Sequence, residues 1–463
     1  MRRGSLVLMV TLVSWSTACA VRGPYEAPQA APYTPAAEEA ARMDTREFDG
    51  RWWQQFEDPV LDGLVTAAIA RNHDVRMALA RVAQARAVFG EVSRDRYPRV
   101  TSGAAADRRT QTIPGFSDGP VDISSYQAGF DATWELDLFG RVRSAVTAAA
   151  ATAEGLQLSL DAVRVRIVAE VARNYFELRG LQQQLAVVER SLTNVRDTLR
   201  LTTVRYDSGI GEAQDVASAA ARVAAVEAAL PPLRTAIMQR AHRLAVLTAE
   251  RPDAVAREVD PRPYPALRTQ LALGDPAELL QRRPDVRAAE RRLAAATARE
   301  GVAAADLYPR VTLTGFLGLL AGRGTTFGSA DSRAWAVTPA LSWAAFDLGS
   351  ARARLRGAEA ASDEAVAEFE QAVLLALEEA QNALVAYREQ QQRLVRLGEQ
   401  AHEGARAAGI ARLRYREGVS DFLTLLDAER TQLEAESAVA EAEAEVFTRV
   451  VAVYKAFGGV AVP

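Results

Sequence analysis

Two kinds of apolar pattern alternate along the chain. From Tyr126 to Leu136 the even positions carry Tyr126, Ala128, Phe130, Ala132, Trp134 and Leu136, and the odd positions carry Gln127, Gly129, Asp131, Thr133 and Glu135. A period of two, with one face apolar and the other polar, predicts a strand. Further on, Trp335, Val337, Pro339, Leu341 and Trp343 share one parity, with the smaller Ala336, Thr338, Ala340, Ser342 and Ala344 on the other. Each alternating stretch is preceded by a candidate strand that opens at the pentapeptide YPRVT, first at Tyr97 to Thr101 and again at Tyr308 to Thr312. Proline is tolerated at the start of a strand. Alternation of this length, with aromatic residues near the strand ends, suits a tilted membrane strand; a soluble sandwich packed on one face would show it too.

The second pattern is helical. No proline occurs from Val121 to Leu230, or from Ala340 to the terminal Pro463, and both tracts are rich in Ala, Leu, Glu, Gln and Arg. Leu178, Leu181, Leu185, Val188, Leu192, Val195 and Leu199 recur at alternating steps of three and four, and Val366, Phe369, Val373, Ala376, Ala380, Ala383, Tyr387, Gln390, Leu394 and Leu397 do the same. These are coiled-coil seams. A helix over residues 141-205 would be about 100 Å long at the usual rise, which requires an elongated object. Each tract ends at a glycine turn, YDSGIGEAQD or YREGVSDF, where Gly209 and Gly418 suit a left-handed C-cap and Asp215 or Ser420 lies near the next helix start.

The pentapeptide belongs to a larger internal repeat. NHDVRMALARV from Asn72 aligns with RPDVRAAERRL from Arg283, Trp134 before DLFG with Trp343 before FDLG, and RYDSG from Arg205 with RYREG from Arg414, all at an offset of about 210 residues. The expected organisation is a signal peptide over residues 1-18 and a lipidated, extended tether over 19-50, rich in Pro and Ala. A first repeat follows over 51-250, with a helix, strands near 98-108 and 124-137, a long helix 141-205 and a return helix 212-248. A linker with a short helix spans 251-282. The second repeat occupies 283-457, with a helix, strands near 309-320 and 333-346, a long helix 350-416 and a return helix 420-457, before a tail at 458-463.

Composition narrows the function. With 49% hydrophobic residues and a formal charge of −4, there is no basic field to attract nucleic acid. The single cysteine, Cys19, allows no intrachain disulfide and no CxxC metal site. It follows Arg2 and Arg3, an apolar stretch from Leu6 to about Trp15, and the small residues Ser16, Thr17 and Ala18. That is an export signal, ending either in a lipobox whose cysteine is lipidated or in an Ala18-Cys19-Ala20 site for ordinary signal peptidase. Past it, no apolar run reaches the ~18 residues of a membrane helix. His73, His242 and His402 are far apart, and neither a catalytic set nor a metal cluster is legible, so no enzyme and no cofactor are expected. The loop GRGTTFG at 322-328 joins two strands and reads as an extracellular hairpin loop.

Four strands cannot close a barrel in lipid, where an open edge leaves backbone groups unpaired. Three copies would share a barrel of twelve strands, with twelve helices around the same axis as a tube.

The segments WWQQFEDPVLDGLVTAAIARNHDVRMALARVAQAR, WELDLFGRVRSA, LLQRRPDVRAAERRLAAATA and YREGVSDFLTLLDAERTQLEAE together resemble the outer membrane factor family of TolC and OprM type, in particular its NodT-like lipoprotein branch serving resistance-nodulation-division efflux. The resemblance implies a mainly α, TolC-like fold with a membrane β-barrel part, assembled as a homotrimer with a 12-strand β-barrel and a 12-helix periplasmic α-barrel. It also implies a Gram-negative outer-membrane channel, anchored in outer-membrane lipid through Cys19, that passes small molecules such as drugs from a periplasmic adaptor (membrane fusion protein) and an inner-membrane pump. Leu423 and Asp427 would be its periplasmic gate, Arg412, Arg414 or Arg416 its latch, and the turns at Gly209, Gly211, Gly418 and Ser420 the adaptor-docking surface. Read without the family, Leu423 is a coiled-coil knob and Asp427 a solvated acid. An exit duct of type I protein secretion, or a periplasmic coiled-coil scaffold, would share much of this pattern.

Overall fold

The computed structural model describes residues 25–28, 32–35, 43–44, 50–252, 261, 264–265 and 271–459. Cys19, the signal segment and most of the expected tether lie outside them. The chain divides into two compact units. One comprises Met1–Gln29, Ala80–Gln157 and Ala288–Gln371, the other Ala30–Leu79, Leu158–Arg287 and Ala372–Pro463. In chain order the main elements are α1 (Pro59–Arg71), α2 (His73–Ser93), β1 (Arg99–Gln111), β2 (Val121–Leu136), α3 (Arg141–Asp207), α4 (Ala213–Ala228) and α5 (Leu230–Leu247). They continue with α6 (Pro284–Ala305), β3 (Arg310–Ala321), β4 (Arg333–Ser342), α7 (Leu348–Arg416) and α8 (Phe422–Ala456).

In the first unit the strands form one antiparallel sheet in the order β1-β2-β3-β4, so β2 and β3 pair across the two repeats, from Tyr126 opposite Ala321 to Leu136 opposite Val311. The repeated sequence marks the foot of each hairpin. Trp134 Nε1 donates to the carbonyl of Arg96 at 3.1 Å, and Trp343 Nε1 donates to that of Leu307 at 3.0 Å. Each indole thus satisfies a carbonyl of the turn between helix and strand, next to Tyr97-Pro98 and Tyr308-Pro309. β4 stops at Ser342, short of the expected 346, because Trp343 makes this bond and Ala344 to Asp347 close a turn, with Asp347 N–H donating to Ala344 O at 2.9 Å. Asp137 starts α3 by accepting from the N–H groups of Val142 and Arg143 at 3.0 and 2.8 Å.

The second unit holds the larger apolar core. Trp52 stacks on Tyr454 with centroids 5.2 Å apart, and Phe176 stacks on Phe447 at 4.8 Å beside Phe56. Arg283, only 6% exposed, donates to the Ala456 carbonyl at 2.8 Å and to Asp285 and Glu379 at 2.6 and 2.8 Å; Lys455 reaches Glu379 at 2.7 Å. Burial alone would raise both carboxyls, but the bonds and charge of Arg283, joined at Glu379 by Lys455, hold Asp285 and Glu379 below their usual range. A guanidinium so enclosed persists because each of these carboxylates also compensates its desolvation.

Three features depart from the sequence pattern. Asn72 divides the expected first helix in two: its Oδ1 accepts from Asp74 N–H at 2.8 Å and its Nδ2 donates to the Leu247 carbonyl at 2.9 Å. The return helix of the first repeat is broken after Ala228 because Pro231 and Pro232 supply no N–H for the α-helical ladder. Over this stretch, Ala213–Leu247, an 18-residue window has a mean hydropathy of 1.3, long and apolar enough to cross a membrane by composition. Two of its apolar side chains, Val226 and Leu230, pack on Val188, Leu192 and Val195 of α3. Third, described parts of the expected tether are pinned. Tyr25 packs against Ala151, Ala294 and Ala295, Tyr33 lies edge-on to Phe457 at 6.2 Å, and Met43–Asp44 pairs in parallel with Leu271–Ala272.

Candidate functional site

Strand register sorts the side chains of the sheet by face. Ser102 lies opposite Phe130, Phe130 opposite Leu317, and Leu317 opposite Trp335. Because side chains alternate, this face also carries Val100, Ala104, Tyr126, Ala128, Trp134, Leu313, Leu319, Val337 and Leu341. The opposite face carries Thr101, Gln127, Asp131, Thr133, Glu135, Thr312, Thr314 and Thr338. One side is dressed for hydrocarbon and the other for water. Tyr126 and Trp134 stand eight residues apart on the apolar face, about 27 Å of strand, which matches the ~25 Å apolar band between the aromatic girdles of membrane barrels. β1 and β4 each have one neighbour in the sheet, so each leaves one edge unpaired in the single chain.

The second site is the pair of helical hairpin turns in the other unit. Both turns are built alike. Gly209 N–H donates to Tyr206 O at 2.9 Å and Ile210 N–H to Arg205 O at 3.0 Å; Gly418 N–H donates to Tyr415 O at 3.1 Å and Val419 N–H to Arg414 O at 2.9 Å. These are Schellman closures, and the φ values of +77° at Gly209 and +76° at Gly418 are why glycine stands there. Gly211 is required for a different reason: a Cβ would stand 2.9 Å from Tyr206 N. The residues beside the turn glycines, Ile210 and Val419, are apolar and exposed, a feature the sequence reading passed over.

Ser420, expected near the start of the return helix, precedes the residue that caps it. Asp421 accepts from Thr424 N–H at 2.7 Å, and the backbone and side-chain hydrogen bonds of Thr424 hold its carboxyl below the usual range. One residue on, Phe422 and Leu425 enter a core with Ala219, Ala411 and Tyr415. That packing directs Leu423 outward at 62% exposure, with Asp427 one turn further, also exposed. Asp427 pairs with Arg430 at 2.8 Å, and Arg430 also reaches Glu434 at 3.5 Å.

The three candidate latch arginines separate. Arg412 donates through Nε and Nη2 to Glu429 Oε1 at 3.1 and 3.0 Å. Glu429, 4% exposed, also accepts from Thr198 of α3 at 3.1 Å, so one buried carboxylate joins α3, α7 and α8. Arg414 and Arg416 are exposed, and among the described residues neither has an ion-pair partner. The sequence reading missed Arg205, which donates to the Tyr415 carbonyl at 3.1 Å, lies 4.9 Å from that ring's centroid, and so fastens one hairpin to the other. Thr202 Oγ1 meets the Tyr415 hydroxyl at 3.3 Å beside it. Among the described residues no group of three or more His, Cys, Asp or Glu side chains could hold a metal ion.

A sheet with one lipid-compatible face and unpaired edges, joined in one chain to long helices that end in capped hairpins, defines an outer-membrane channel of TolC type. Known proteins agree. The pattern of the outer membrane efflux protein family matches residues 64–250 and 276–459. The chain is 32% identical over 448 residues to outer membrane protein OprJ of Pseudomonas aeruginosa, covering 96% of this chain and 93% of that one. It is also 32% identical over 446 residues to the pyoverdine export outer membrane protein OpmQ of Pseudomonas putida, covering 94% and 92%. The solved outer-membrane channel OprN superposes with a TM-score of 0.93 at 46% identity, over 95% of this chain and 99% of that one. The chain belongs to the outer membrane efflux protein family.

Proposed function

We propose that three copies of this chain share one barrel in the outer membrane and form the exit duct of a tripartite efflux system, receiving small molecules from an inner-membrane pump through a periplasmic adaptor. The observation that carries the assembly is the sheet: four strands with a lipid-compatible face and two unpaired edges, which hydrocarbon does not tolerate. Pairing β4 of one copy with β1 of the next removes every edge. Relatives of similar identity carry different cargo in their names, pyoverdine for OpmQ and toluene for TtgI of Pseudomonas putida. These names select no cargo for this chain; we assign the choice of cargo to the pump, with this chain as a shared duct for small toxic compounds.

In that assembly Leu423 and Asp427 line the narrow periplasmic mouth as an apolar ring and an acidic ring. Their exposure in the single chain supports this, since a coiled-coil knob would be covered. Arg412 is the latch arginine, acting through Glu429. The turns at Gly209, Gly211, Gly418 and Ser420, with exposed Ile210 and Val419, form the adaptor seat. Cys19 carries lipid. It lies six residues before Tyr25, a reach of at most about 20 Å, and Tyr25 rests against Ala151, ten residues into α3, about 15 Å along the helix from its start at Arg141. A chain that short reaches the membrane surface. The decisive experiment is the native mass of full-length protein extracted from outer-membrane fractions. A trimer is expected, and a monomer from the soluble periplasm would overturn the shared barrel.

A further inference from the structure

The apolar face of the sheet is not an even wall. Gly129 and Gly318 lie opposite each other on β2 and β3, and a Cβ on Gly129 would stand 2.6 Å from Leu317 O and 2.8 Å from Gly318 Cα. Two strands that approach so closely exclude any side chain at these two positions. By strand alternation the side chains these glycines lack belong to the polar face, where the Phe316 ring lies 2.8 and 2.9 Å from the two Cβ positions; on the apolar face a hollow of about 830 Å³ runs over their bare backbone, walled by Phe130, Leu317, Leu319 and Trp335. Arg333, the first residue of β4, completes its lining.

The place of Arg333 is unusual. It shares the apolar face with Trp335, two residues on, and lies opposite Leu319, which pairs with Ala128. Of the other arginines of this sheet, Arg108 meets Asp122 at 2.9 Å and Arg310 meets Asp306 at 2.5 Å, while Arg99 stands at the helix end of β1, away from the hollow. Among the described residues Arg333 has none. An arginine facing lipid is tolerated near the headgroup level, where it can meet an anion. Its planar fork suits phosphate better than a lysine would.

We propose that this hollow binds a phosphorylated, multiply acylated glycolipid of the outer leaflet, with the phosphate on Arg333 and an acyl chain lying over Phe130, Leu317 and Trp335. The inference rests on the membrane reading given under Proposed function. The leaflet follows from the topology. Helices enter and leave the sheet at Arg99, Leu136, Arg310 and Ser342, so these ends are periplasmic, and Arg333 is at the other end. Phospholipids of the inner leaflet carry the same phosphate chemistry but lie at the level of Trp134 and Trp343.

The test is native mass spectrometry of the full-length, detergent-extracted protein titrated with hexa-acyl diphosphoryl lipid A, and separately with phosphatidylglycerol. Lipid A is expected to stay bound to wild type at least tenfold more tightly than phosphatidylglycerol. Arg333→Gln should weaken lipid A at least tenfold, Arg333→Lys should restore part of it, and Leu317→Ala should weaken the lipid while leaving the charge in place. Equal lipid A binding by wild type and Arg333→Gln would overturn the site, and phosphatidylglycerol binding as tightly as lipid A would overturn the leaflet. The same spectra report the number of protein copies: a particle other than a trimer sinks the assembly, whereas an intact trimer blind to the phosphate sinks this inference alone.

Discussion

The guanidinium of Arg205 lies over the ring of Tyr415 and donates to its carbonyl, so the last turn of α3 is fastened to the last turn of α7 by one side chain. Thr202 contacts the hydroxyl of the same tyrosine. The contact joins a residue of the first repeat to one of the second, at the level where both hairpins turn.

Removing it should loosen the turns without unfolding the protein. A cation–π contact of this kind contributes about 0.5–1 kcal/mol. Arg205→Ala is expected to raise the mean conductance in planar bilayers while the melting temperature changes by a few degrees at most. Unchanged conductance in a correctly assembled particle would show that the fastening does not restrain the mouth.

The ring residues make a sharper prediction. Leu423→Ala combined with Asp427→Ala should widen the mouth and raise single-channel conductance. Asp427→Asn alone should reduce the preference for cations with little effect on width, as expected of an acidic ring. Because Arg430 offsets part of this charge, Arg430→Gln should strengthen the cation preference. Ion selectivity measured in a salt gradient separates these outcomes.

Glu429 should matter for stability as well as for the mouth. Glu429→Ala leaves Arg412 without its carboxylate and Thr198 without its acceptor, and breaking a buried pair from one side costs about 3 kcal/mol. The melting temperature should fall for both variants, and more for Arg412→Ala, which strands the buried Glu429 carboxylate, than for Glu429→Ala, which leaves an Arg412 that water reaches. Equal, negligible shifts would mean that the buried carboxylate joins nothing that holds the fold.

Acid should weaken the Arg283 cluster. The carboxyls of Asp285 and Glu379 are held below their ordinary values of 3.8 and 4.5, so the unfolded chain binds more protons than the folded one in that range. Stability from this cluster is therefore fully present above those values and lost as pH falls through the depressed ones. Melting temperature measured from pH 6 down to pH 3 should decline less steeply in Glu379→Gln than in wild type. Parallel declines would remove the cluster from the account of acid sensitivity.

Metabolic labelling with palmitate tests the anchor. Wild type should take up label and Cys19→Ala should not. Label on neither would favour processing at Ala18-Cys19-Ala20.

The sequence revealed what repeats at short period and concealed what depends on distant pairing. Alternation around Phe130 and the three-four spacing through Val188 and Leu192 are local signals, so the strands and seams were legible, and the family motifs identified the fold. The pairing of β2 with β3 was not, because residues on different repeats set it. Glu429 reads as one more acid on a charged helix, and only Thr198, 231 positions away, reveals that it is buried. Arg430 stood in view three residues from Asp427 but was masked by the abundance of arginine around it. The break at Pro231 was missed because the apolar pattern runs on through it.

The two hairpin turns share a backbone and differ in what they present. Where the second carries Leu423 and Asp427, the equivalent positions of the first hold Gln214 and Ser218. In the proposed threefold ring the six turns alternate between two chemistries on one repeated frame. Under the proposed assembly the second hairpin of each copy supplies the constricting side chains and the first presents polar ones, so a duplicated frame holds two specialised ends without either being rebuilt.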